Sequence, residues 1–257
     1  MTSILDALLL GLLQGATEFL PVSSSAHLVI AQYLLGIDSP GLVLEVALHM
    51  GTLLSVLIYF RKDIWSLAAG TFRPGEPGVS SRQEVGLIFI ATVPAVVAAL
   101  VFKDAIDAAF DSLDMVGWML LVTTAVLISS RWAHGGTAGV TAKVALILGL
   151  AQALAIMPGI SRSGMTIVAG LWLGMSGTEA ARFSFLMAIP AILGAGLLSL
   201  GSGMPGVALL PMGTGMIVSA LAGYVVIAWL MDILRRGRLY FFGGYTLLAG
   251  LIVIFAL

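Results

Sequence analysis

The run GATEFLPVSSSAHLVIA, residues 15–31, sets Glu18, Ser23, Ser24, Ser25 and His27 among apolar neighbours. A second run, MPGISRSGMT at 157–166, carries Ser161, Arg162, Ser163, Gly164 and Thr166. An arginine fork binds phosphate oxygens in pairs and can neutralise a phosphoryl group in transfer. Ser24 precedes His27 by one helical turn, so hydroxyl and imidazole can meet as nucleophile and base. His27 could instead attack phosphorus itself or protonate the leaving oxygen. Glu18 lies one turn after Gln14, and three roles are open to it: an ion pair with Arg162, a Mg²⁺ or Ca²⁺ site shared with Gln14, or orientation and deprotonation of His27. His49 follows Glu45 by one turn and is either a supporting residue or one side of a helix–helix hydrogen bond. Gly159 and Gly164 flank a loop that would approach an anion closely.

Composition fixes the solvent these groups must work in. The chain has 257 residues, 60% hydrophobic and 10% charged, with no cysteine and a net charge of −1. Mean hydropathy is +1.09. A soluble domain of this length needs more surface charge, so the chain reads as an all-α polytopic membrane protein. Disulfides and thiolate metal sites are excluded, and the charge gives no sign of nucleic-acid binding. No basic n-region and cleavage site mark a removable signal peptide.

Six stretches are long enough to cross a bilayer, which takes about 20 apolar residues: 41–60, 83–103, 113–130, 180–201, 207–233 and 240–257. Residues 3–36 and 140–175 are instead interrupted, at Pro21-Val22-Ser23 and Pro158-Gly159-Ile160-Ser161. Proline ends a helix and serine caps the next one, so each region reads as a re-entrant helix hairpin. Such breaks survive at membrane depth only when packed in protein or lining a wet cavity. Ten of the 12 Lys and Arg fall in segments assignable to one side, while Asp104, Asp107, Asp111 and Asp114 surround one short loop opposite. The basic side is then cytoplasmic.

Sliding the chain by 138 positions lays GLLQGATEFLPVSSSAHL (11–28) over GLAQALAIMPGISRSGMT (149–166). Gly, Leu, Gln and the serines at 23/161 and 25/163 coincide. Each unit, 1–131 and 140–257 of a single domain spanning 1–257, then holds one hairpin and three spans. An odd number of spans turns the second unit upside down. Two hairpins entering from opposite faces bring their tips together, with two helix N-termini, Arg162, the serines and an imidazole around one space. That is an anion site, and by hydroxyl density a phosphate site.

QGATEFLPVSSSAHL and MPGISRSGMT resemble the two signature motifs of the undecaprenyl pyrophosphate phosphatase family of bacitracin-resistance type, (E/Q)xxxE with PVSSxxH and PGxSRSGxT; FSFLMAIPAILGA at 183–195 is also similar. The resemblance runs over essentially the whole chain. It implies a bacterial inner-membrane hydrolase that converts C55 polyprenyl diphosphate to the monophosphate and inorganic phosphate, recycling the carrier of peptidoglycan synthesis. It also implies a divalent cation, a site opening to the periplasm and bacitracin resistance on overproduction. By motif position Glu18, Ser24, His27 and Arg162 would be catalytic, and Ser161, Ser163 and Thr166 would cradle phosphate, with Ser23, Ser25 and Gly164 at the same tips. The chain departs from many relatives at Gln14 (often Glu), which weakens a two-carboxylate metal site, and at Ala26 and Arg182. A carrier for a lipid phosphate or small anion is the competing reading, since inverted repeats with broken helices also serve alternating access. It would not need a nucleophile beside its anion site. A homodimer is left open.

Overall fold

The computed structural model describes residues 3–37, 42–201 and 209–257. Among these the chain is helical throughout: α1 Ile4–Thr17, α2 Ser24–Leu35, α3 Leu42–Tyr59, α4 Arg61–Thr71, α5 Glu76–Val101, α6 Lys103–Phe110, α7 Leu113–Ser129, α8 Ala142–Leu154, α9 Arg162–Trp172, α10 Gly177–Gly201, α11 Leu209–Arg235 and α12 Phe241–Ala256. The first residues of two expected spans, 41 and 207–208, lie outside the described residues.

Among the described residues four helices are long and apolar enough to cross a membrane, within 76–101, 113–132, 177–197 and 209–235, which makes this a multi-pass membrane protein. The other two of the six expected spans fall short of that length. α12 has 16 residues, about 24 Å at 1.5 Å per residue against a hydrocarbon layer of about 30 Å. Residues 41–60 correspond to α3, which bends by 74° at Phe60 into α4; the bent pair would make a fifth span. α4 opens with Arg61, Lys62 and Asp63 and exposes Trp65, the make-up of a helix lying at an interface.

Both interrupted regions are helix, break, helix. α1 and α8 end at 17 and 154, and α2 and α9 begin at 24 and 162. The new helices start the same way: Ser23 Oγ accepts from the Ala26 amide and Ser161 Oγ from the Gly164 amide. Each cap also touches the serine two residues on, at 3.1 Å for Ser23–Ser25 and 3.2 Å for Ser161–Ser163. The turns differ: at the first break Ser23 itself takes φ 71°, while at the second Gly159 takes φ 101°. A positive φ on serine costs about 1–3 kcal/mol and persists only where the surroundings enforce it.

Helix packing comes in matched pairs. α1 and α3 pack on α11, while α8 and α10 pack on α5; α3 meets α10, and α7 meets α12. The crossings are close because glycine faces backbone. A carbon added at Gly11 would lie 2.6 Å from the Gly215 carbonyl oxygen, and one at Gly149 2.6 Å from that of Ala91. Small residues at crossings are how membrane helices gain contact without a hydrophobic driving force. The largest core joins Phe19, Phe60, Phe183 and Phe185, which bury the base of the first break beneath α3 and α10.

Candidate active site

The two breaks meet. Ser163 Oγ donates to the Leu20 carbonyl at 3.0 Å, and Arg162 Nη2 donates to Glu18 Oε1 at 2.5 Å. Glu18 is the residue after α1, and Arg162 is the first residue of α9. Only 6% of the Glu18 side chain and 16% of the Arg162 side chain are exposed, so each neutralises an otherwise unpaired buried charge.

Glu18 Oε2 gathers the other polar groups. It accepts from Ser24 Oγ at 2.5 Å and Gln14 Nε2 at 3.0 Å, and His49 Nε2 stands 3.8 Å away. The hydroxyl of Ser24 is therefore aimed at a carboxylate. The sequence pairs it with His27, but His27 turns elsewhere: Nδ1 donates to the Ser23 carbonyl at 2.7 Å, and Nε2 lies 2.6 Å from the Tyr245 hydroxyl. With Nδ1 as donor the neutral ring accepts at Nε2, so Tyr245 donates. The two rings stack, with centroids 5.6 Å apart. The cause is helical geometry: Ser23, in its positive-φ turn, offers its carbonyl to the His27 ring and so pins one edge.

The expected phosphate cradle is largely occupied with holding the tips. Ser161 and Ser163 are buried and engaged as above, and the Ser161 amide donates to Thr123 Oγ1 at 3.0 Å. Thr166 is buried; it donates to the Arg162 carbonyl at 2.7 Å and contacts Ser184 Oγ at 2.6 Å. Gly164 packs against Ser161 and Pro21, where a side chain would crowd both. Ser23 caps α2, and the Ser25 hydroxyl contacts that cap. What is free is telling: Arg162 Nη1 and Gln14 Oε1 are buried without a hydrogen-bond partner among the described residues. A buried guanidinium nitrogen without an acceptor is a place for an anion.

The matches with known proteins agree with that chemistry. The family model described as "Bacitracin resistance protein BacA" matches residues 7–252. The chain belongs to this family. It is 49% identical over 254 residues to an undecaprenyl-diphosphatase of Syntrophotalea carbinolica, covering 96% of this chain and 97% of that one. It is 44% identical to an undecaprenyl-diphosphatase of Desulfosudis oleivorans and 40% identical to that of Geobacter sulfurreducens, covering 96% of each chain in both cases.

In this family member the structure brings Gln14, Glu18, Ser24 and Arg162 to one point and sets His27 beside it, facing Tyr245. Tyr245 was not visible in the sequence, because it joins His27 across 218 positions and carries no charge to betray it. His49 was visible in the sequence as a supporting residue or a helix–helix contact, but its place beside Glu18 was not.

For a divalent cation the test is the donor set. No group of three or more His, Cys, Asp or Glu side chains suited to a metal occurs among the described residues. One carboxylate and the unpartnered buried amide oxygen of Gln14 do stand together. Those are hard oxygen donors of the kind Mg²⁺ or Ca²⁺ takes, the rest of the shell coming from phosphate oxygens and water. The residues fit a weakly held, substrate-completed cation.

Proposed function

We propose that this chain hydrolyses undecaprenyl diphosphate to undecaprenyl phosphate and inorganic phosphate, recycling the lipid carrier used in peptidoglycan synthesis. The observation that carries the reading is the contact of the Ser24 hydroxyl with the Glu18 carboxylate beside an arginine whose second nitrogen is free. The relatives' name supplies the substrate.

The diphosphate enters between the tips while its tail stays in lipid. Arg162 Nη1 takes an oxygen of the terminal phosphate, and the amide ends of α2 and α9 add their dipoles. Ser24 Oγ attacks the terminal phosphorus as its proton passes to Glu18 Oε2. The bond from phosphorus to the bridging oxygen breaks, and undecaprenyl phosphate leaves. Water then attacks the phosphoserine, the phosphorus–Ser24 bond breaks, inorganic phosphate leaves with the water's oxygen and proton, and Glu18 returns its proton to Ser24 Oγ. An imidazolium at His27, with Nε2 turned from Tyr245 toward the bridging oxygen, protonates the departing group. Glu18 and Gln14 would hold a divalent cation, which supplies charge neutralisation on the phosphates when bound. Attack by His27 or by water remains the alternative to attack by Ser24.

The matched packing pairs and matched serine caps support an inverted repeat of units 1–131 and 140–257, each with a hairpin and three spans. The clustering of basic residues supports a cytoplasmic position for that side of the molecule, and the family resemblance adds a site opening to the periplasm. All site residues come from one chain, so a homodimer is not needed to complete it. No contact among the described residues favours a carrier.

The test is inorganic phosphate release from undecaprenyl diphosphate by the purified protein, with Mg²⁺ or Ca²⁺ against chelator. An acid quench within one turnover should trap phosphate on Ser24. Turnover without any protein-bound phosphate would remove the serine route and leave water as the attacking group.

A further inference from the structure

His49 takes no part in the steps above, yet it faces the centre of the site. Its Nδ1 lies 2.8 Å from the Glu45 carbonyl, which can only accept, so Nδ1 carries a hydrogen. In the neutral ring the lone pair is then on Nε2, and Nε2 points at Glu18 Oε2 across 3.8 Å. Two acceptors thus face one another over a gap too long for a hydrogen bond. Two bonds of about 2.1 Å each, usual for a divalent ion to imidazole and to carboxylate, fill such a gap. A ring nitrogen whose partner nitrogen is anchored on a backbone carbonyl is the usual posture of a metal-binding histidine.

The second observation is Gln14. It is fully buried, and its Oε1 has no partner while its Nε2 donates to the same Glu18 oxygen. Half a turn of the amide exchanges the two atoms, which puts the orphan oxygen beside Oε2. Arg162 occupies Glu18 Oε1, and Oε2 accepts from Ser24 Oγ and Gln14 Nε2; turning the amide removes the Gln14 donor and frees one Oε2 lone pair for an ion while Ser24 keeps the other.

We propose that His49 Nε2 is a ligand of the divalent cation, together with Glu18 Oε2 and Gln14 Oε1. This rests on the reading of the tips as a cation-assisted phosphatase site. It makes the site one nitrogen and two oxygens, which favours a first-row transition ion over Ca²⁺. The imidazole stands in for a carboxylate where this chain has glutamine at 14.

Mn²⁺ itself is the probe. Pulsed electron paramagnetic resonance on the purified protein, with and without methylene diphosphonate, should show imidazole nitrogen coupled to the bound ion. His49→Gln and His49→Leu should abolish that coupling and weaken Mn²⁺ binding at least tenfold, while His27→Gln keeps the coupling. Two variants of different polarity guard against loss of fold. Mn²⁺ bound without nitrogen coupling, or coupling that survives both His49 variants, overturns the proposal. So does failure to bind Mn²⁺ in either condition. Phosphate release by the same wild-type preparation separates these failures from failure of the phosphatase reading: release that chelator does not diminish leaves a hydrolase without the cation.

Discussion

Glu18 holds Arg162 with one oxygen and accepts the Ser24 hydroxyl with the other. Glu18→Gln keeps the shape and loses the negative charge. The amide cannot take the serine proton, and kcat should fall by about 10²–10⁴, the usual share of a general base; steady-state phosphate release measures it, and a fall under tenfold would contradict the role. Tyr245→Phe deletes only the hydroxyl at His27 Nε2. One lost hydrogen bond predicts roughly a tenfold lower kcat, with KM unchanged because the phosphate contacts remain. A rise in KM at constant kcat would instead put Tyr245 in substrate binding. The pairing of Glu18 with Arg162 was legible in the sequence as one of three roles for the carboxylate, because a buried carboxylate and guanidinium stand out among apolar residues. The partner of Ser24 was not, since spacing along a helix cannot reveal that the Ser23 turn diverts His27.

At the scale of helices, proline, glycine and serine marked both breaks, because those residues act locally through φ, missing donors and caps. Helix lengths were less legible. Hydropathy places one span at 83–103, whereas α5 runs from Glu76 to Val101: its first polar turns extend the helix beyond its apolar part. The expected span ends at 60, where the chain bends, but the helix α4 beyond it was hidden, because Arg61, Lys62 and Asp63 break the apolar pattern. The close crossing of α1 and α11 gives a prediction at this scale. Gly11→Val would push a side chain into the Gly215 backbone, which cannot yield as a flexible side chain does. Overpacking of this kind costs about 1–3 kcal/mol, so the melting temperature in detergent should drop, whereas Gly86→Val, at a site with open space, should leave it unchanged. Equal melting curves would mean that the crossing carries little stability.

Across the whole molecule the two tips divide the chemistry between them unequally. The offset of 138 that aligns the serine caps takes Gln14 to Gln152 but Glu18 to Ile156, Ser24 to Arg162, His27 to Met165 and His49 to Met187. The first tip brings the carboxylate and nucleophile, and the second brings the cation that closes on them. The likeness of the two serine-capped breaks was legible as pattern, while this division of labour needed the two tips in contact. Orientation is testable because the chain has no cysteine of its own. Ser80→Cys and Ala108→Cys, both at exposed positions, should react with a membrane-impermeant maleimide from opposite sides, Ala108→Cys from the periplasmic side. Labelling of both from one side would contradict the topology. The most direct measurement compares wild type with Arg162→Ala for release of inorganic phosphate from undecaprenyl diphosphate, each checked for an intact fold by its melting curve. The expected result is rapid release by wild type and a loss of at least a hundredfold in the variant. Undiminished release by a folded Arg162→Ala would show that the chemistry lies elsewhere than at the meeting of the two tips.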